Sequence, residues 1–327
     1  LTFQPNEGVP HFQLGEIALP GITAAAGAAS TGAEDYRRQL DLAQALHSVG
    51  YRVGGVTHRR EAIASHPAEV IAVRLSADKP GACSGVVRLQ GAHGETSAAE
   101  GAEVFFAGAL PNAMKYEARV RAIPQGGSVA ADGATLRYEK CDSVLLLLAA
   151  GTDYAMDPER GFRGEPPHER LAKQLDAAAK KGWEALRSEQ AADHKSLFGR
   201  VALDLGATAP AQRDLPTDAR LKAYADGAED PELETLMFQY GRYLLIGCSR
   251  TNGLPANLQG LWNDSNNPPW HSDYHANINV QMNYWGAEPA NLAECHVPLV
   301  ELIRSQLPAW RKATAAAPEF QLASVPT

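Results

Sequence analysis

Nine of the chain's eleven asparagines fall between Asn252 and Asn291, together with three of its five tryptophans, Trp262, Trp270 and Trp285. A carboxamide carries donors and an acceptor and stays neutral at any working pH. An aromatic ring offers a flat apolar face, with a polar tip on Tyr and Trp. Together they suit a ligand with many hydroxyls and apolar C–H faces, which describes a sugar.

Within this stretch His275, Asn277, Asn279, Gln281 and Asn283 alternate with Ala276, Ile278, Val280 and Met282. Period two predicts an extended segment, in which one face presents an imidazole and a row of amides. Such alternation also arises in a half-buried strand whose polar face is simply wet. Amides in place of Lys, Glu and Thr, and the neighbouring Tyr274 and Tyr284, favour a binding face. His271 and His275 have metal-ligand spacing only on a helix. Pro268-Pro269 and the alternation argue against one, and no third ligand is placed, so no metal is expected. Ser249 does not fit a nucleophile elbow and reads as a hydroxyl at a helix end. Trp183 and Trp310 lie in helical stretches and read as core.

The elements that must position this stretch change character along the chain. Residues 1–165 read as an antiparallel β-sandwich, from short Val-, Ile- and Tyr-rich runs such as Tyr51–His58, Val70–Ser76, Gly85–Leu89, Tyr116–Ile123, Thr135–Glu139 and Val144–Ala149 separated by turn residues. Gly54-Gly55 reads as a hairpin turn. Residues 166–218 read as a connector: a polar, alanine-rich helix over about 169–195 with one packed stripe, a strand Val201–Leu205 returning to the sheet, and a hinge. Residues 219–327 read as helical. Asp230 is placed as N-cap with Pro231 at the first helical position, followed by an apolar face of Leu233, Leu236, Met237, Tyr240 and Leu244. A later helix over about 297–312 carries Leu299, Leu302, Ile303, Leu307 and Trp310 on one side, with Pro308 expected to kink it or end it early.

Composition narrows the classes. The net charge of −8, the pI near 5.7 and the lack of basic runs remove the electrostatic footprint of a nucleic-acid binder. The longest apolar run, Val144–Ala150, is far too short to span a bilayer. Cys83, Cys141, Cys248 and Cys295 are scattered and read as small buried hydrophobes. The chain opens at Leu1 without Met, which reads as a cut edge, and shows no targeting segment.

The run Phe238-Gln239-Tyr240-Gly241-Arg242-Tyr243-Leu244-Leu245-Ile246, then Leu254–Asn263 (LPANLQGLWN), Asn277-Ile278-Asn279 and Met282-Asn283-Tyr284-Trp285, closely resembles glycoside hydrolase family 95. The resemblance extends upstream through Tyr36–Leu42, Arg60-Glu61 and Ser65-His66-Pro67. That family contains 1,2-α-L-fucosidases and relatives acting on α-L-galactosides. The resemblance implies a β-sandwich joined by a linker to an (α/α)6 catalytic barrel, of which this chain holds the first helices. It implies inverting hydrolysis of a fucosylated or L-galactosylated glycan, without metal or organic cofactor. Asn277 and Asn279 match the asparagines that hold the attacking water. His275 matches a position beside the sugar and leans toward fucose. Trp262, Asn263 and Trp285 are the remaining candidate sugar contacts. An inverting glycosidase needs an acid and a base with water between base and sugar. Neither carboxylate maps onto this chain: Asp264, Asp273, Glu288 and Glu294 match no such role, and Glu288 and Glu294 read as structural. The rest of the barrel, in the same protein or a companion chain, is the expected partner, and no nucleic acid or membrane is. A secreted or periplasmic location follows from the resemblance alone. Two other readings stay open: a glycoside phosphorylase of similar architecture, disfavoured because the amide block holds no Lys or Arg from 251 to 302, and a non-catalytic carbohydrate-binding protein.

Overall fold

The computed structural model describes residues 12–13, 33–263 and 265–317. A two-residue strand, β1 (Phe12–Gln13), opens the described part. β2 (Glu34–Asp41), β3 (Leu46–Val53), β4 (Val56–Ser65) and β5 (Val70–Ala77) follow as an antiparallel meander. Between β3 and β4 the Gly54-Gly55 pair takes positive φ at both residues, 58° and 72°. Only such a turn matches the twist of the flanking strands, so the sequence Tyr51–His58 is a hairpin and not one strand. Then come β6 (Cys83–Val87), β7 (Gln90–Gly91), β8 (Ala98–Glu100), β9 (Glu103–Ala109), β10 (Lys115–Gln125), β11 (Ser128–Asp132), β12 (Thr135–Cys141) and β13 (Ser143–Thr152). The large sheet has the order β2-β3-β4-β5-β13-β10-β9-β8, and a smaller one has β11-β12-β6.

The apolar run at 144–150 explains itself in this topology. Val144, Leu146 and Leu148 face the core between the two sheets, beside Phe106, Val120, Leu136 and Tyr138. Leu145, Leu147 and Ala149 face the other way, onto α1 (His168–Phe198). A strand buried on both faces has no polar side to alternate with, which is why this one reads as a continuous apolar run.

The connector helix packs one stripe, as its composition demands. Leu171, Leu175, Ala178, Trp183, Leu186, Gln190, His194 and Leu197 are buried. Their spacing is three or four except between Ala178 and Trp183, where five residues would rotate the stripe off the sheet. Gly182 sits in that interval at φ 71° and ψ 175°, breaking the helix and restoring the phase. Trp183 is core, as expected.

After α1 the expected strand Val201–Leu205 is absent: residues 201–209 form neither strand nor helix. The Val201 carbonyl accepts instead from Gln239 Nε2 at 2.9 Å, so side chains and not a sheet edge take up the backbone. The hinge contains two short helices that the sequence reading lacked, α2 (Pro210–Arg213) and α3 (Thr217–Ala225). α4 (Pro231–Cys248) begins as expected, with the Asp230 carboxylate accepting from Leu233 N at 3.0 Å. Arg220 donates to the same carboxylate at 2.6 and 2.9 Å, and Thr208 Oγ1 at 2.7 Å. The Arg220 bonds hold Asp230 far below the usual carboxylate range. A depressed folded-state pKa contributes stability that is complete above the unfolded value of about 4 and fades as pH falls toward the folded one. We therefore expect Asp230→Asn to melt below wild type at pH 7, and the gap to narrow below about pH 4. A pH-independent gap in thermal melts would contradict this.

The final helices are α5 (Asn279–Tyr284) and α6 (Val297–Ala316). α6 continues through Pro308 to Ala316, so the proline does not end it. Leu299 and Leu302 are buried, but Ile303 and Leu307 are exposed. On α4, Leu233 is buried while Met237 is 77% exposed and Tyr240 45%. The apolar faces exist as expected, yet much of each meets no other described element. Among the described residues no helix is long and apolar enough to cross a membrane, and the four cysteines are free.

Candidate active site

The segment after α4 is organised around Tyr284. Ser249 caps α4, is fully buried, and donates through Oγ to Cys295 O at 2.7 Å. Its single proton is thereby used, so the contact of 2.7 Å between Ser249 Oγ and Tyr284 OH has the phenol as donor. The same phenol oxygen accepts from Ala256 N at 2.7 Å. Burial raises the Tyr284 pKa, which keeps that proton in place. Three distant pieces of chain are thus pinned to one ring, which stacks on His296 at 5.0 Å. Ser249 is the helix-end hydroxyl expected, and has no nucleophilic setting.

The alternation at 275–283 does not produce an extended segment. Only Asp273, Tyr274 and His275 precede the turn at 276–278, and α5 begins at Asn279. Of the supposed inner row, Val280 alone is buried; Ile278 is 51% and Met282 55% exposed. The residues that pack are Val280, Tyr284 and Ala287, at helical spacing of four and three, against Ala256 and Leu299. Helical burial overrode the period-two pattern, so a common direction for His275, Asn277 and Asn279 no longer follows from the backbone.

Period two holds for one step. Asp273 and His275, flanking the half-buried Tyr274, are joined by a short contact between the Asp273 carboxylate and His275 Nδ1. Asp273 is 5% exposed. A buried carboxylate accepts the hydrogen bond of Nδ1–H and leaves Nε2 as the free edge of the imidazole. The sequence reading names Asp273 only as a local acid without a catalytic match, although its i, i+2 spacing from His275 is visible. The three residues before it are strained: Trp270, His271 and Ser272 all have positive φ (49°, 56° and 52°), uncommon for non-glycine residues. Among the described residues no cluster able to hold a metal ion occurs.

Most amides in the segment have local structural duties. Asn252 and Asn291 sit at positive φ, 68° and 56°, which asparagine tolerates well. Asn257 Oδ1 accepts from Gln259 N at 2.9 Å, and Asn283 Nδ2 donates to Asn257 O at 2.7 Å. Asn263 exchanges bonds with Ser265, and Asn266 Nδ2 reaches Ala92 O of the sandwich at 2.7 Å. Asn277 is exposed and its Oδ1 accepts from Ile278 N at 2.9 Å. Asn279 differs: its side chain is half-buried and makes no hydrogen bond among the described residues. The tryptophans divide the same way. Trp183 is 7% exposed, whereas Trp262, Trp270 and Trp285 are 52%, 68% and 67% exposed. The edge of Trp262 lies across Gly247 of α4, where a Cβ would meet the ring at 3.4 Å.

The local acids are accounted for. Glu288 pairs with His296 at 2.6 Å, which lowers its pKa, and Glu294 pairs with Arg200 at 2.7 Å. Both are structural, as expected, and Asp264 lies outside the described residues.

Residues 182–320 match the family model of the glycosyl hydrolase family 95 catalytic domain, and residues 4–157 that of the glycosyl hydrolase family 65 N-terminal domain. The chain is 34% identical over 300 residues to alpha-L-fucosidase 2 of Arabidopsis thaliana, covering 81% of this chain and 35% of that protein. It is 34% identical to probable alpha-fucosidase A of Aspergillus niger (81% and 35%) and 32% to that of Aspergillus oryzae (80% and 38%). The chain thus spans little more than a third of the length of these relatives. A putative kojibiose phosphorylase from the human microbiome superposes with a TM-score of 0.45 at 11% identity, over 69% of this chain and 30% of that one, too distantly to bear on fold or reaction. The amide- and tryptophan-rich segment lies wholly inside residues 182–320, the part of the chain that matches the glycosyl hydrolase family 95 catalytic domain.

Proposed function

We propose that the protein containing this chain is an exo-acting glycoside hydrolase that releases terminal α-L-fucose, or the related α-L-galactose, by inverting single displacement. The observation that carries this is the family 95 match across the segment holding Asn277 and Asn279, supported by the identity to three proteins named as α-fucosidases. In this reading the two amides orient the attacking water. A neutral carboxamide cannot take a proton, so the base and the general acid come from carboxylates on later barrel helices. Those helices would also cover the exposed faces of α4 and α6. Trp262 and Trp285 offer half- to two-thirds-exposed rings for the apolar face of the sugar, and Asn263 orders the loop beside Trp262.

The test is hydrolysis of an α-1,2-fucosylated oligosaccharide by the full-length protein, with the first-formed anomer read by proton NMR. Release of β-fucose is expected. Release of α-fucose, release that requires phosphate, or binding without release would each overturn the reading.

His275 is proposed to contact the sugar through Nε2, with Asp273 holding the ring. Asp273→Asn removes the charge from that bond while keeping its shape. A fall of about tenfold in kcat/KM is expected, the loss of roughly one charge-assisted hydrogen bond. Unchanged kinetics would remove Asp273 from this role.

A further inference from the structure

The sandwich holds a second feature that the glycosidase reading does not use. The small sheet covers β5, β13, β10 and β9, and no residue of β3 or β4 belongs to the core between the sheets. At this lip lies a cavity of about 150 Å³. Tyr51, His58 and Arg60 line it from the large sheet, and Cys83, Ser84 and Tyr138 from the small one.

Two polar atoms in it are orphaned. The Tyr138 hydroxyl is buried without a hydrogen-bond partner, on a residue 1% exposed. Arg60 Nε is likewise buried and unpartnered, and Arg60 forms no salt bridge among the described residues. Native structures rarely leave such donors unmet without water or a ligand. The Arg60 guanidinium rests over the Tyr51 ring, 5.6 Å from its centroid, and His58 stacks on the same ring at 5.3 Å. The aromatic face is therefore occupied, and what remains to be offered is N–H and O–H. Tyr138 projects across Gly85, where any Cβ would lie 2.5 Å from its hydroxyl, so glycine at 85 is what admits the phenol. Ser84 Oγ accepts from Lys140 N at 2.9 Å, which leaves its own proton available. No Asp or Glu lines the cavity. Burial raises the Tyr138 and Cys83 pKa values and lowers that of His58. Of the two guanidinium groups lining the space, Arg59 pairs with Glu61 at 3.1 Å, which leaves Arg60 as the cation without a carboxylate partner among the described residues.

We propose that this cavity binds a carboxylate, with Arg60 and Tyr138 as its donors. A guanidinium matches the planar geometry of a carboxylate, and a phenol supplies a further charge-assisted bond. The volume fits a free small carboxylate or the acid group of a uronate.

The experiment titrates the full-length protein with sodium acetate, sodium D-galacturonate and neutral D-galactose at constant ionic strength, by calorimetry. Saturable binding of at least one carboxylate, and none of galactose, is expected. Acetate alone would identify a free small acid; galacturonate would identify an acidic sugar. Tyr138→Phe and Arg60→Gln should each weaken binding at least about tenfold, the loss of roughly one charge-assisted bond. Tyr138→Phe should melt no lower than wild type, because its hydroxyl has no protein partner to lose. No saturable binding, a crystal structure of the acetate-soaked protein with only ordered water in the cavity, or equal affinity in Tyr138→Phe would overturn the proposal. Hydrolysis is not read in this experiment, so either outcome leaves the fucosidase reading standing on its own test.

Discussion

Asn279→Ala in the full-length protein is expected to lower kcat by about a hundredfold, with KM and melting temperature little changed. The size follows from the role proposed for it: a group that only positions a reacting water contributes through orientation, and losing it typically costs roughly that much. The specificity of the test follows from the structure. The Asn279 carboxamide makes no hydrogen bond among the described residues, so its removal deprives the fold of no partner. It stands at the first position of α5, where alanine is a good helix former. Asn277→Ala is expected to reduce turnover as well, but it also removes the bond to Ile278 N at 2.9 Å that shapes the turn before α5. Its effect therefore mixes positioning with a loosened loop, and Asn279 is the more decisive substitution. Wild-type turnover in a folded Asn279→Ala protein would take this residue out of the mechanism.

The contrast between these two asparagines shows what was legible in the sequence. The order of sandwich, connector helix and helices could be read because each depends on local signals: turn glycines at 54 and 55, a polar alanine-rich run with one stripe, and an Asp-Pro helix start at 230 and 231. The doubly buried strand 143–152 was legible as a run with no polar positions. The strand expected at 201–205 failed because its backbone partners are side chains on α4, a long-range pairing with no local trace. The extended reading of 275–283 failed for a related reason. Residue types alternated along the chain, but burial was decided by what Val280, Tyr284 and Ala287 meet in space. The concentration of asparagine was plain in the sequence, and the structure gives much of it a structural reason. At Asn252, Asn257, Asn263, Asn283 and Asn291 it serves turns and loop closure, which composition alone cannot separate from ligand binding. Asp273 was equally visible in the sequence. What composition did not supply was the burial that turns an acid two residues from a histidine into its partner.

Arg242→Met is expected to destabilise the protein by roughly 2–4 kcal/mol, the cost of leaving about two buried carbonyls without a donor. Arg242 lies on α4, is 3% exposed, and has no carboxylate partner among the described residues. Burial lowers its pKa, yet the guanidinium is held by carbonyl oxygens in place of counter-ions. It donates to Phe198 O at 2.7 Å and Leu197 O at 3.0 Å, at the C-terminal end of α1, where the helix dipole favours a cation. Its Nε donates to Ala290 O at 3.2 Å, in the segment that follows α5. Leu197 O also accepts from Arg200 N at 3.4 Å, so the carbonyls of Phe198 and Ala290 are the ones methionine would orphan. One side chain thereby ties the connector helix, α4 and the amide-rich segment into a single unit. Lysine would keep the charge but, with one ammonium in place of a fork, cannot span both ends, so Arg242→Lys should fall between wild type and Met. Denaturant midpoints measure this directly. Activity in Arg242→Met should fall in step with the folded fraction on warming, and approach wild type well below the melting temperature, because the guanidinium touches the frame of the site and none of its reacting groups. A midpoint equal to wild type in Arg242→Met would show that the three elements are held together by apolar packing alone.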